Sequence, residues 1–518
     1  MASSDNDGPT ANQTTKRYMH PFTENQRHAA YAHRAAHVRL SAAIREKPEW
    51  WVKFRDENVQ AKWRNEIREQ QKDLRRCLQL TDNMINYIMG ELEAYAALRD
   101  PETGIEAGPY ERIWQSDELI PASLKADLVS AIAPLESVPD SEKDWHPGSD
   151  GKVLDLVHPS LYPVVYGHTT AHGAQEPLQP RATDIIPMYR SERFQWLPSD
   201  FRVEEDGSVC LVSPYINNIH PEDHEALTAM IPKMLEKAVP MFERVLSDLA
   251  RETQLPTRLD LQGHKFPQCV WPGEFLDKAP VEHRWPESKP SYTDSLDCVK
   301  KTKDLRGRTL QVIVKLANIV LTPEKPEYGG GAWHVEGMDN EAIVSTFIYY
   351  YDAENLTEST LSFRNAVNEP RYHGQCDYYC MRGLYDMSAD QLCAQNVGYV
   401  TTKQDRCIAF PNLYQHLVSP FRLADPTKPG HRKILVFFLV DPNITIPSAS
   451  TVAPQQERRI RRAAEGSELW WRLPNEWLDP ITETQARKYR EELMKERSQT
   501  EKAWGRDRFA LFFNLCEH

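Results

Sequence analysis

The sequence predicts an α+β fold: a sandwich or jelly-roll core of short strands, preceded by a helical region and followed by a helical extension. Three observations predict it. Apolar residues recur at helical spacing through the first 150 residues and again over 221–249. From residue 310 the texture changes to short β-branched and aromatic runs separated by Gly, Pro, Asn and Asp. From about 444 the chain turns polar, and it closes with a charged stretch that reads as a helix over 481–503.

Taken in order, residues 1–20 are polar and expected to be disordered. Thr23 with Gln26 forms a capping-box pattern that opens an alanine-rich helix. A second helix carries Trp51, Phe54, Val59, Trp63 and Ile67, and a third carries Met84, Tyr87, Ile88, Leu92 and Tyr95. Such stripes are core far more often than cofactor contacts. Loops near 136–152 and 172–182 precede a helix over about 221–249, with Leu227, Ile231, Leu235, Val239, Phe242 and Leu246 on one face. Strands follow at 310–323, 341–352, 358–367, 405–412 and 432–442, spaced as in a sandwich or jelly roll. The apolar "RFALFFNL" at the end is expected to pack back on the core. The expected organisation is a helical region over 21–150, a core with helical insertions over 151–445, and a helical extension over 446–518.

Composition narrows the classes of function. The longest apolar run, "ILVFFLV" (434–440), is far too short for a membrane span, and the opening residues lack a secretory pattern. Nine cysteines without regular spacing fit reduced thiols, so a cytoplasmic protein is expected. A net charge of −13 argues against nucleic acid as partner.

The segment "GGGAWHVEGMDNEAIVSTFIYYYD" (329–352) puts His334 and Glu336 two positions apart, just before a strand. On an extended segment both side chains point to one side, where they can share a metal ion. By itself such a pair is usually a surface feature. A third ligand is available at His416 in "FPNLYQHLVSP", and two imidazoles with one carboxylate leave open positions, the pattern of non-haem Fe(II) oxygenases. Arg432, opening "RKILVFFLVDP", offers a rigid fork for a carboxylate such as that of 2-oxoglutarate. Arg364 is either a second carboxylate holder or half of a structural ion pair. His373, Cys376 and Cys380 have zinc-like spacing without an evident fourth ligand, and His158, His168 and His172 read as packing or surface residues.

His-x-Glu before a strand, a distant His after "AFPN" and an Arg opening the next strand resemble the iron(II)- and 2-oxoglutarate-dependent dioxygenase superfamily. Beyond that core, "DLVHPSLYPVVYGH", "SPYINNIHP", "CVWPG" and "YYYDAENLTESTLSFR" resemble a mostly fungal domain family of formerly unknown function. The resemblance implies a double-stranded β-helix core, with His334, Glu336 and His416 as iron ligands and Arg432 as the 2-oxoglutarate anchor. It also implies O2 as cosubstrate, and succinate and CO2 as products alongside oxidation of an unactivated C–H bond. Two departures stand out: Glu336 replaces the commoner Asp, and Ile434 stands where a Ser often partners the cosubstrate. A carboxylate ligand at Glu336 also disfavours halogenation.

The strand after the pair has two faces, Ile343, Ser345, Phe347 and Tyr349 on one and Val344, Thr346, Ile348 and Tyr350 on the other. The first set, with Arg364, is taken as the substrate wall. Biosynthetic relatives within the superfamily oxidise amino acids, including closure to an aziridine, which implies a small amino-acid-like metabolite. The alternatives are a protein or peptide hydroxylase, and a non-oxidative cupin-like isomerase or binding module on the same fold.

Overall fold

A computed structural model describes residues 17–22, 35–74, 79–181, 189–256, 258, 288–369, 382, 385–388, 391–465 and 480–508. The capping pattern at Thr23, the group of His373, Cys376 and Cys380, and the apolar closing run from residue 509 lie outside them.

The opening helices are α1 (Ala35–Arg45), α2 (Trp50–Lys53), α3 (Glu57–Gln70) and α4 (Asp82–Leu98). Their apolar stripes meet in one buried cluster that includes Ile44, Trp50, Phe54, Trp63, Ile67, Ile88 and Leu92. The sequence predicts a single helix from Trp51 to Ile67, and the structure divides it. The Asp56 carboxylate accepts the Asn58 and Val59 N–H groups at 2.8 and 3.3 Å, so it caps a new helix rather than continuing the old one.

Two short strands, β1 (Glu106–Ala107) and β2 (Trp114–Ser116), lead to helix α5 (Ala122–Glu136). Then come β3 (Val153–Val157), β4 (Val164–Val165), β5 (Phe194–Gln195), β6 (Ser199–Val203) and β7 (Val209–Leu211). The long helix α6 (Glu225–Ala250) precedes β8 (Thr309–Leu321), β9 (Glu327–Tyr328), β10 (Ile343–Glu354), β11 (Ser359–Ala366) and β12 (Ala394–Thr402). The core closes with β13 (Cys407–Pro411), β14 (Gln415–Val418), β15 (Phe421–Arg422) and β16 (Gly430–Val440), followed by α7 (Glu457–Glu465) and α8 (Glu483–Arg508).

The result is a mixed α and β protein built on antiparallel sheets. The large sheet runs β1-β2-β13-β10-β16-β8-β6-β7, with β3 also on β8, and a smaller sheet runs β12-β11-β14. The two sheets meet directly. Phe363 of β11 lies 5.0 Å ring to ring from Phe410 of β13, and Arg432 of β16 donates to hydroxyls on β11 and β12. Helix α6 covers the opposite face of the large sheet. Its predicted stripe, Leu227 to Leu246, is buried there, with Phe242 at 6.2 Å from Phe347, which stacks on Phe437 at 5.9 Å. Each such buried side chain is worth about 1.5–3 kcal/mol of transfer free energy. Because strand side chains alternate, positions on β10 that share the Phe347 face look at α6, and those that share the Thr346 face look at the small sheet. Among the described residues no helix is long and apolar enough to cross a membrane.

Candidate metal centre

Backbone pairing brings the three proposed ligands together. His334 and His416 form an antiparallel bridge, with N–H to O distances of 3.2 and 3.0 Å, so their side chains leave the backbone side by side. The glycine run makes this approach feasible. Gly331 donates to the Val418 carbonyl at 2.9 Å, and a Cβ on Gly330, whose φ is +87°, would lie 2.9 Å from that same oxygen.

The side chains converge. Glu336 Oε1 lies 3.6 Å from His334 Nε2 and 3.3 Å from His416 Nε2, and the two rings are 4.2 Å apart. Two ligands each about 2.1 Å from a common ion at roughly right angles are separated by about 3 Å, so the spacing suits a small cation. The proton inventory suits it too. His334 Nδ1 is 2.8 Å from the Ala332 carbonyl, which makes Nδ1 the donor and leaves the Nε2 lone pair facing the cluster. Burial pushes the His416 pKa down. Two imidazoles with one carboxylate at this spacing are a donor set that suits iron(II).

Asn412 fixes the carboxylate's backbone. Its Oδ1 accepts from Glu336 N at 2.7 Å, and its Nδ2 donates to Glu336 O at 2.8 Å and Ile343 O at 3.1 Å. In the sequence Asn412 is only the polar residue that ends the "AFPN" turn, and its role appears once the structure buries it completely. Asn412→Ala leaves three buried backbone groups unpaired, at about 1–3 kcal/mol each. We expect a lower melting temperature and metal affinity reduced about 10–100-fold. An isothermal titration that returns the wild-type affinity would remove Asn412 from the site.

Arg432 sits deeper, between the sheets. Its Nη1 donates to Ser359 Oγ at 2.8 Å and Thr402 Oγ1 at 3.0 Å, and its guanidinium lies over the Phe421 ring at 4.6 Å and the Tyr350 ring at 5.5 Å. Among the described residues no carboxylate pairs with it, and burial lowers its pKa. A buried cation that meets only hydroxyls and ring faces is set up for an anionic ligand. Ser359 and Thr402 also supply the hydroxyl groups that Ile434 does not. They were missed because strands far apart in sequence bring them in.

Other expected site residues fall elsewhere. Arg364 does not join Arg432: it donates to Gln415 at 2.6 Å and lies 4.7 Å over the Trp333 ring, with burial lowering its pKa to about 10. Of the substrate wall expected at Ile343, Ser345, Phe347 and Tyr349, Ile343 is separated from the rest by a bulge against β16, and the other three turn away from the triad. Phe347 looks at α6, Ser345 donates to the Phe410 carbonyl, and Tyr349 donates to Asp405, so this face belongs to the helix-covered core. The other face turns to the site, since Tyr350 meets Arg432 and Thr346 pairs with Phe410, whose ring is 5.0 Å from His416. Thr346 Oγ1 is buried there with no hydrogen-bond partner among the described residues.

A second group, His146, Asp155 and His158, also has metal-like spacing. It reads as structural. His158 Nδ1 accepts the Ser160 N–H at 3.1 Å, which puts the ring proton on Nε2, and Arg490 lies 3.7 Å from the Asp155 carboxylate. Trp333, the residue before His334, lines a groove of about 250 Å³ together with Phe363, Tyr110, Tyr399 and the ion pair Arg39–Asp386.

A family model described as "Protein of unknown function (DUF4246)" matches residues 82–463, and one described as "Domain of unknown function DUF4246, N-terminal" matches residues 3–66. No curated protein matches the chain. Among solved structures, an Fe(II)/(alpha)ketoglutarate-dependent dioxygenase, TqaL, is 11% identical over 62% of this chain and 79% of its own, with a TM-score of 0.25. IDO from Bacillus thuringiensis is 8% identical over 64% and 90%, with a TM-score of 0.27. A dioxygenase for auxin oxidation in rice is 12% identical over 74% and 95%, with a TM-score of 0.24.

Proposed function

We propose, from the premise that this chain belongs to the DUF4246 family, that it is a non-haem iron(II)- and 2-oxoglutarate-dependent oxygenase of a small amino-acid-like metabolite. The observation that carries the reading is the pairing of two features between the same sheets. One is a converging His334, Glu336 and His416 donor set, and the other is a buried Arg432 whose nearest polar neighbours are hydroxyls. On this reading the facing sheets are the two halves of a double-stranded β-helix.

His334, Glu336 and His416 would hold iron(II), which supplies oxidative decarboxylation of 2-oxoglutarate and attack on an unactivated C–H bond. The remaining work belongs to the chain. The Ala332 carbonyl holds the His334 tautomer, and Asn412 fixes the Glu336 backbone. Arg432, with Ser359 and Thr402, binds the carboxylate of the cosubstrate that points away from the metal. The rings of Phe421, Tyr350 and Phe410 keep water from the charged groups, which strengthens each ionic contact. The substrate enters along the groove beside Trp333, and the face of Val344 and Thr346 forms the wall that aims one C–H bond.

Anaerobic titration of the metal-free protein with Fe(II) and then 2-oxoglutarate tests the proposal. A visible charge-transfer band is expected, growing to one equivalent of each. A binding module on this fold gives no band, and that result sinks the oxygenase reading.

A further inference from the structure

The loop that leaves Glu336 is gripped from both ends of the chain. It turns through positive φ at Gly337 (+68°) and Ala342 (+47°), and between them stand two acids, Asp339 and Glu341, with almost no exposure. Each acid meets a cation from a different terminus. From the C-terminal side, Arg497 of α8 donates to Glu341 Oε1 at 2.7 Å while its guanidinium lies 3.8 Å over the Trp196 ring. The same carboxylate accepts the Trp196 N–H at 2.8 Å and the Met338 N–H at 2.6 Å. From the N-terminal side, Arg17 lies 2.7 Å from Asp339. Its neighbour Tyr18 donates its backbone N–H to Asp441 at 2.8 Å, and the Asp441 N–H bonds the Ala342 carbonyl at 2.9 Å. Phe22 stacks on Tyr189 at 5.4 Å and shares a buried cluster with Val335, the residue between His334 and Glu336.

We propose that Arg497 and Arg17 are positioning residues for the metal site: the two chain ends clamp loop 337–342 and thereby set the Glu336 carboxylate. This rests on the metal-binding reading above. Asn412 already holds Glu336 and Ile343, the residues flanking the loop, so the loop's remaining freedom lies in its middle. Loss of either arginine leaves a buried carboxylate without its cation, and such a group moves toward water or takes a proton. The loop is closely packed at its Glu336 end. A Cβ on Gly337 would already lie 2.9 Å from Ile343 Cδ1 and 3.2 Å from the Glu341 carboxylate. Movement of Glu341 therefore passes to Glu336, five residues earlier in the chain.

Simple docking of α8 is the competing explanation, and the same helix supplies the control. Arg487 also ties α8 to the body, at 2.9 Å from Asp144, but it does not touch the loop. The experiment titrates the full-length metal-free protein with Co(II), reading affinity and the visible d–d spectrum beside the melting temperature of the unloaded protein. Arg497→Met is expected to weaken Co(II) binding about tenfold or more and to alter the band shape. Arg497→Lys should recover part of the loss, Arg17→Met should weaken binding in the same sense, and Arg487→Met should stay within about twofold of the wild type. Wild-type Co(II) affinity in Arg497→Met and Arg17→Met overturns the clamp, as does an equal loss in Arg487→Met. If Arg497→Met does not fold, Arg17→Met decides alone, since its side chain is 24% exposed and its removal threatens the fold less. A wild-type protein that binds no Co(II) overturns the metal reading and this inference together, whereas wild-type binding with unaffected variants overturns only the inference.

Discussion

Glu336→Gln is expected to lower affinity for Fe(II) or Co(II) by more than about a hundredfold while leaving the unloaded protein as stable as the wild type or more so. The two effects have opposite signs for one reason. In the metal-free site a carboxylate faces two imidazole nitrogens, with His334 Nε2 at 3.6 Å and His416 Nε2 at 3.3 Å, and the tautomer set by Ala332 gives His334 no proton to share. An amide of the same size can donate into those lone pairs, so the empty cluster relaxes. The metal then meets three neutral donors, one of them already engaged, and loses the charge that balances it. Losing an outer partner of a ligand typically costs 10–100-fold in affinity, and loss of a charged ligand should exceed that. Calorimetric titration with thermal unfolding of the same samples reads both signs. Undiminished metal affinity in Glu336→Gln would show that Glu336 is not a ligand.

The parts of this architecture that could be read from sequence are those in which one residue's neighbours lie close by. The α6 stripe is legible because helical period and burial coincide over Leu227 to Leu246. Runs such as "RKILVFFLVDP" are legible because both faces are buried and the run is continuous. The strands β12 and β14 were missed: "AQNVGYVTT" carries a glycine and polar residues through a bulge, and β14 has four residues, one of them His416. Period two divides β10 into two faces but cannot say which is inner. That choice is made by Phe242 on α6, a hundred residues earlier, and by Phe410 and the small sheet on the other side. The His334, Glu336 and His416 grouping was legible because the residue types are rare together. The donors around Arg432 were not, since Ser359 and Thr402 are ordinary strand residues until the sheets close on them.

Arg432→Met should abolish stabilisation by 2-oxoglutarate without weakening the metal site. In the wild type Arg432 is a fully desolvated guanidinium with two hydroxyl partners, two ring faces and no carboxylate among the described residues. Keeping that charge in the core is costly without its ligand, so an apolar side chain of similar volume should leave the unloaded protein unchanged or more stable. The ligand is where the arginine matters. With the wild type at a hundred times its dissociation constant, bound 2-oxoglutarate adds about 2.7 kcal/mol to stability, and in Arg432→Met that increment should vanish under the same conditions. Arg432→Lys gives the finer answer. It keeps the charge but replaces a planar fork with a single ammonium on a different reach, so it cannot hold a carboxylate in two parallel bonds while also bonding Ser359 and Thr402. Affinity for 2-oxoglutarate should then fall by about 1.5–3 kcal/mol, the worth of a charge-assisted bond, or roughly ten- to a hundredfold. Co(II) titrations of both variants should overlay the wild type, because no ligand atom has moved. The measurement is the shift in melting temperature with added 2-oxoglutarate, taken with Co(II) present and oxygen excluded. A full wild-type shift in Arg432→Met would hand the cosubstrate to another cation, with Arg364, 4.7 Å above the Trp333 ring beside the triad, the first to test.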